Sequence, residues 1–250
     1  MSAAIRVEAL KLSRSLVGVV ATSAIIVGMI ALLGGITAGV AAGNPELIAQ
    51  AGPAAALDWT GLIHGAMQVG AVATILGFGT VLSWMFGREF TDGTIVGLFA
   101  LPISRGCIAL AKVVVYAIWA SAVSAVVVCG VLGLGLLFGY GHPDGDTWVS
   151  LGRLWSLGVL SACVAVPVAW IATAARSVLA AIGVTIGLVA TAQISALAGA
   201  GGWMPLAAPA IWAISNGTAV TSTQLAVTVV FALVFVLLTH RAWARLQLDR

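Results

Sequence analysis

The charged residues of this 250-residue chain are few and unevenly spread. Only 8% of the residues are charged, yet Arg88, Glu89, Asp92 and Arg105 all lie in one short segment, residues 88–106, between two long apolar runs. Carboxylate and guanidinium groups can pair with each other, cap helix ends or bind a partner of opposite charge. A segment that only joined two apolar runs would not need them. We therefore predict that residues 88–106 form a docking site.

The same segment has the pattern of a short helix. Asp92 is placed as an N-cap, because its carboxylate can accept a hydrogen bond from a free N–H group and suits the positive end of a helix. Pro102 pushes the residue before it out of helical geometry and so predicts the end of that helix. We expect a capped helix over residues 93–101 with one apolar side. The residues that share this side are Ile95, Leu98, Phe99 and Pro102.

The elements that position this segment follow from the composition. Hydrophobic residues make up 61% of the chain and the mean hydropathy is +1.14, whereas about a quarter of the residues in a soluble domain are charged. Apolar runs of about 18 or more residues predict membrane-spanning helices, because lipid leaves backbone groups unsatisfied in other conformations. The predicted fold is all-α, with residues 1–250 as one polytopic membrane domain. The six predicted spans are 15–42, 60–87, 107–140, 149–175, 177–200 and 224–239, the last extended by 219–223.

The basic residues predict how the spans are oriented. With a cytoplasmic N-terminus, only Arg153 of the 11 Lys and Arg residues falls on the outer side. This asymmetry is typical of the positive-inside rule, and it places both termini and residues 88–106 in the cytoplasm. The sequence pI of about 9.1 therefore reflects topology. Because the basic residues form no cluster, a nucleic-acid partner is not expected.

The first 14 residues predict an interfacial helix on the cytoplasmic leaflet of the bilayer. Apolar residues recur at helical spacing, and Arg6, Lys11 and Arg14 fall on the other faces, where they would meet anionic headgroups. An irregular basic tail is the alternative. The apolar run that follows is about twice as long as the 7–15 residue core of a secretory signal peptide, which disfavours that interpretation.

The other residues that could carry chemistry are isolated. Cys107, Cys129 and Cys163 have no paired spacing, so neither a disulfide framework nor a metal site is predicted. The three histidines are far apart and have no nucleophile at a recognised spacing. No Asp, Glu, Lys or Arg falls in the middle of a predicted span, where ion-coupled carriers need one. No catalytic residue is therefore predicted. An intramembrane enzyme and a secondary carrier or channel are kept as alternatives.

Three residues within the spans are candidates for a substrate path. Gln68 and Gln193 are the main strongly polar side chains there, and they either line a path or form hydrogen bonds between helices. Phe78, in the second span, would add an apolar wall. Such walls suit a hydrophobic or amphipathic cargo better than a bare ion.

Residues 199–221 form an unusual outer segment. It is uncharged, contains two tryptophans, and is broken by glycine and proline before the last span. Tryptophan favours the membrane interface, so we predict a re-entrant or interfacial cap over an exit path, with an amphipathic connector as the alternative. The proposed cap residues are Trp203, Met204, Pro205 and Trp212.

The sequence resembles the permease subunits of ATP-binding-cassette transporters of the type 2 exporter group, in the style of the bacitracin- and lantibiotic-resistance permeases. The resemblance covers nearly the whole chain and is most specific in residues 88–112, where an acidic residue, a Gly-Thr pair and a helix precede a Pro-x-Ser-Arg stop and then Lys112. In that family this segment is the coupling helix, which seats in a groove of the ATPase subunit. The coupling residues implied here are Arg88, Glu89, Asp92, Gly93, Thr94, Leu98, Phe99, Pro102 and Arg105.

The resemblance also implies partners. The chain has no Gly-x-x-x-x-Gly-Lys-Ser/Thr phosphate-binding loop, so it should bind no cofactor itself, and ATP and Mg²⁺ are expected on a separate ATPase. Six spans would form half of a path. The expected assembly is two permeases, identical or different, with two ATPase subunits in a bacterial cytoplasmic membrane. The implied function is export of a drug, peptide antibiotic or lipid by alternating access. Haem export or metalloenzyme maturation is the alternative within the family.

Overall fold

The computed structural model describes residues 1–99, 102–199 and 201–247, and these residues fold into helices joined by short connections. Two short 3₁₀ helices, Gly52–Ala55 and Gly201–Trp203, accompany the α-helices. The α-helices are α1 (Ser2–Ser13), α2 (Leu16–Ala41), α3 (Pro45–Ala51), α4 (Trp59–Thr91), α5 (Ile95–Phe99), α6 (Arg105–Leu137), α7 (Gly145–Ala165), α8 (Pro167–Ala174), α9 (Val178–Leu197), α10 (Ala208–Ile214) and α11 (Ser222–Ala244).

The predicted all-α, six-span fold is confirmed. Within the described ranges, six helical segments are long and apolar enough to cross a membrane: α2, α4, α6, α7 together with α8, α9 and α11. Successive spans run in alternate directions. One end of the bundle, here named the α1 end, carries α1, α5 and the residues after α11. The other end, the α3 end, carries α3, residues 138–144 and α10.

The fourth span is broken at Pro167. Helix α7 ends at Ala165 and α8 begins at Pro167, because proline has no N–H group to donate to the preceding turn. A kink was predicted at Pro167, and the structure shows a break there, where α7 ends and α8 begins. The break leaves Thr173 of α8 fully inside the bundle, where it accepts a hydrogen bond from Trp243 Nε1 at 2.9 Å.

Helices α4 and α7–α8 form the centre of the bundle. About two thirds of their most apolar stretches are buried (61% and 67%), whereas only 22%, 17% and 17% are buried in α2, α9 and α11. Phe78 of α4 lies in this centre with no exposed surface and makes edge contacts with Tyr116 and Trp119 of α6. Aromatic packing encloses the ring, and its place on a substrate path stays a prediction.

Helix α1 folds back against α2 and α6. Ser15 caps α2 by accepting a hydrogen bond from Gly18 N–H at 2.8 Å. Any side chain at Gly18 would lie 2.2 Å from the Leu12 carbonyl oxygen, so this turn depends on glycine. The face of α1 that contacts the bundle is made of Ala4, Glu8 and Leu12, all buried.

The predicted helix boundaries in residues 88–106 need correction. Helix α4 continues through Arg88 to Thr91, and Asp92 lies at its C-cap. Asp92 is therefore not an N-cap. Gly93 follows with a φ of +66° and ends the helix, because glycine adopts the left-handed conformation without strain. The short helix α5 starts at Ile95 and ends at Phe99. The predicted positions 100 and 101 lie outside the described residues.

Candidate coupling site at the α1 end

Four charged side chains from three helices meet at the α1 end. Lys112 of α6 places its Nζ 2.7 Å from Glu8 Oε2 and 2.9 Å from Glu89 Oε1. Lys11 of α1 places its Nζ 3.0 Å from Glu8 Oε1 and 3.0 Å from Glu89 Oε1. We name Glu8, Lys11, Glu89 and Lys112 the charge cluster. Its two carboxylates and two ammonium groups balance each other.

The charge cluster is buried in the protein. Glu8, Glu89 and Lys112 are exposed by only 4%, 2% and 1%. A buried charge costs several kcal/mol unless a partner of opposite sign and good geometry compensates it. Each of these three groups has two such partners. Separating α1, α4 and α6 would leave charges uncompensated, so the cluster joins these helices to one another.

Thr94 ties the connection after α4 to the charge cluster. Its Oγ1 donates a hydrogen bond to Glu89 Oε2 at 2.6 Å, and the next residue begins α5. Because Gly93 turns the chain back, Thr94 can reach a carboxylate five residues earlier. The start of α5 is thereby attached to the same group that holds α1 and α6.

The last span joins the site through Trp243. This fully buried indole lies below the Lys112 ammonium, with Nζ 5.8 Å from the ring centroid. Phe86 and Phe90 of α4 contact the same ring at centroid distances of 5.8 and 6.2 Å. Beyond α11, the Leu246 carbonyl oxygen accepts a hydrogen bond from the Arg105 guanidinium. Both ends of residues 88–106 are therefore held by other parts of the bundle.

The placement of Lys11 differs from the expectation. The sequence placed it on a face of α1 that meets lipid headgroups, but the ammonium points into the bundle because Glu8 and Glu89 attract it. Burial alone would lower the pKa of Lys11. The attraction of Glu8 and the hydrogen bond to Glu89 outweigh that effect, so its pKa is raised and the group stays charged. Arg6 and Arg14 are exposed, as an interfacial helix requires.

The other predicted coupling residues are less enclosed. Arg88 lies with its Nε 3.8 Å from Asp92 Oδ2, and its guanidinium stacks 4.6 Å from the centroid of Trp84. Pro102 is exposed. Leu98 and Phe99 belong to α5, but their side chains lie outside what the structure describes.

Sequence reasoning missed two members of the site, Glu8 and Trp243, and misplaced Lys11. One signal was available: the sequence contains only two lysines, Lys11 and Lys112, and each lies in or beside an apolar segment. A charge in such a place needs a partner. The sequence offers few carboxylates at the same end, and Glu8 and Glu89 are among them.

The substrate-path and cap candidates are scattered. Gln68 is exposed on α4, with Nε2 3.2 Å from His64 Nε2, and Gln193 is half-buried on α9. In the predicted cap, Trp203 is 66% exposed, while the carbonyl oxygen of Pro205 accepts a hydrogen bond from Thr228 at 3.0 Å. Met204 and Trp212 are partly buried. The described cavities do not bring Gln68, Phe78 and Gln193 together.

These features define a helical membrane protein whose charged groups are concentrated at the ends of its spans. The sequence matches the family model described as ABC-2 family transporter protein over residues 4–193. The chain belongs to this family. It is a transporter permease subunit, and the family implies an ATPase partner. The match includes every member of the charge cluster. No curated protein gives a match to this chain, and the bacitracin- and lantibiotic-resistance subgroup stays a prediction.

Proposed function

We propose that this permease subunit belongs to an ATP-driven exporter of hydrophobic or amphipathic molecules and that residues 88–106 dock on its ATPase. The α1 end is then cytoplasmic, in a bacterial cytoplasmic membrane. One observation carries the proposal: the charge cluster fastens Thr94, at the start of α5, to α1, α4 and α6. A connecting loop with no mechanical role would not need three buried charges and a half-buried one behind it.

The long helices support a lever mechanism. Helices α4 and α6 each contain 33 residues, or about 50 Å at 1.5 Å per residue, and they flank residues 88–106. A displacement of α5 by the ATPase would therefore move both helices as a unit with α1. ATP shifts the equilibrium between two arrangements only through its different affinity for them. We expect the ATP-bound ATPase pair to favour one position of α5.

The exposed spans support an assembly of two permeases. The apolar faces of α2, α9 and α11 are open in the single chain, and they would be covered by lipid or by a second permease, identical or different. With one ATPase per permease, the complex would hold two of each. The apolar surroundings fit efflux of a drug, a peptide antibiotic or a lipid, as in antibiotic resistance.

A charge in α5 tests the docking site. The permease is co-expressed with a candidate ABC ATPase subunit from the same genome, and co-elution and ATP hydrolysis are measured for wild type and Leu98→Asp. We expect Leu98→Asp to lose co-elution, because an acidic group would enter a contact that the sequence predicts to be apolar. Ile48→Asp is the matched control, since Ile48 is an exposed apolar residue of α3 at the opposite end. Co-elution of Leu98→Asp at the wild-type ATPase rate would contradict the proposal.

A further inference from the structure

The α3 end contains a polar cavity of about 400 Å³ between the first turns of α4 and α7 and the turn after α10. This volume is in the range of small-ligand sites. None of the residues that line this cavity takes part in the proposed docking of the ATPase. The polar residues that matter here are Asp144, Asp146, Arg153 and Asn216. Trp59 and the apolar residues Ile63 and Met67 also line the cavity.

One set of groups in this cavity offers hydrogen-bond donors. Arg153 donates from Nη1 to Asn216 Oδ1 at 3.0 Å, and its guanidinium lies 5.9 Å from the centroid of Trp212. A guanidinium has five N–H donors, and within the described chain only Asn216 accepts from this one. Arg153 therefore keeps donors for a ligand.

Trp59 forms part of the cavity wall. The residue is 9% exposed, and its Nε1 is buried with no hydrogen-bond partner in the described chain. The far edge of the indole is fixed against α6, where a side chain at Gly135 would lie 2.2 Å from Cζ3. Nε1 is closed off from the cavity as well as from solvent. Trp59 therefore shapes the wall and donates no hydrogen bond into the cavity.

A second set of groups offers negative charge. Asp144 caps α7 by accepting the Thr147 N–H at 2.8 Å, and hydrogen bonds from Thr147 hold the pKa of Asp144 below its usual value. Asp146 is exposed, and its carboxylate makes no ion pair or hydrogen bond within the described residues. Two carboxylates therefore lie beside the donors of Arg153.

We infer that this cavity binds the zwitterionic group of a peptide-like molecule. Asp144 and Asp146 receive its ammonium group, Arg153 receives its carboxylate, and Ile63 and Met67 contact its apolar side chain. A simple anion would meet two carboxylates, and a simple cation would meet the guanidinium, so the mixed lining selects against both. Peptide-like molecules would then be the substrate class of the proposed exporter. The role of this binding in transport rests on that proposed function.

Binding is measured on the full-length permease alone, in phosphatidylcholine nanodiscs, by calorimetric titration with trileucine. We expect saturable binding that weakens about 10-fold in Asp146→Asn, because a charge-assisted contact is lost. Arg153→Gln removes the guanidinium that receives the carboxylate, and a loss of several-fold is expected. Glu46→Gln is the matched control, since it removes an exposed carboxylate of the same end that does not line the cavity. It should bind as wild type does.

Two blocked peptides separate the halves of the ligand. N-acetyl-trileucine has no ammonium group, so it should bind wild type more weakly than trileucine does, and Asp146→Asn should not lower its affinity further. Trileucine amide has no carboxylate, so Arg153→Gln should not change its affinity. Absence of saturable trileucine binding at millimolar concentration, or equal binding by wild type and Asp146→Asn, would overturn the inference. Neither result bears on docking of the ATPase, which the co-elution experiment tests on its own.

Discussion

The two ends of this bundle use charged residues in opposite ways. At the α1 end, the charge cluster pairs two carboxylates with two ammonium groups inside the protein, and Lys112 is 1% exposed. At the α3 end, the Asp146 carboxylate and the Arg153 guanidinium face a cavity, and neither forms an ion pair within the described residues. Both ends hold acids and bases, but only the first neutralises them internally.

This difference suits the α1 end to transmitting a movement and the α3 end to binding a ligand. A neutralised, buried cluster resists separation because every departure leaves a charge uncompensated, so the helices it joins move together. Open charges make no such link between helices and cost little in water. They are available to a ligand that brings the complementary groups. Substitutions at the α1 end should therefore change stability and coupling, and those at the α3 end should change binding or transport alone.

The largest effect is expected from Lys112→Met. The change keeps much of the side-chain volume but leaves Glu8 and Glu89 sharing one ammonium, that of Lys11. Removing one partner of a buried ion pair costs about 3–5 kcal/mol, so the variant should unfold at clearly lower temperature in detergent and should lose ATPase binding. Thermal unfolding and co-elution measure these two effects.

The control for Lys112→Met is a second substitution that restores the charge balance. In Glu8→Gln/Lys112→Met, the cluster keeps one carboxylate, Glu89, and one ammonium, Lys11. We expect this double variant to be more stable than Lys112→Met alone. If it is equally unstable, lost packing explains the effect and the charge cluster is not what joins the helices.

A smaller effect is expected from Thr94→Val. The valine keeps the shape of threonine but cannot donate to Glu89, which still holds both lysines. Stability should fall by about 1 kcal/mol, as for a typical hydrogen bond, while substrate-stimulated ATP hydrolysis should fall several-fold because α5 is released from the cluster. Thr94→Ser keeps the hydroxyl and should retain stimulation. Normal stimulation in Thr94→Val would show that the lever does not pass through this bond.

The sequence predicted the spans well because length and apolar composition decide whether a helix can cross a membrane. The span ends were harder. Residues Arg88 and Glu89 marked the end of the second span in the sequence, yet α4 continues to Thr91. Burial of Glu89 inside a helix becomes favourable only with Lys112 and Lys11 beside it, and no local pattern reveals partners 23 and 78 residues away.

The polar cavity was hidden from the sequence for a related reason. Its groups come from the starts of α4 and α7 and from the turn at Asn216, which are far apart along the chain. Each residue has an ordinary local explanation, as Asp144 does in capping α7. Only the packing of three connections at one end of the bundle brings them around a common space.

The smallest effect on stability is expected from Trp203→Ala at the α3 end. Trp203 is 66% exposed, and surface substitutions usually change stability by no more than about 0.5 kcal/mol. If residues 199–221 cap an exit path, however, ATP-dependent accumulation of dansyl-trileucine in inside-out vesicles should fall several-fold. Trp148→Ala is the matched control, because Trp148 is a 54% exposed tryptophan of α7 at the same end. Equal accumulation by both variants would favour the amphipathic connector, and the α3 end would then bind ligands only through its cavity.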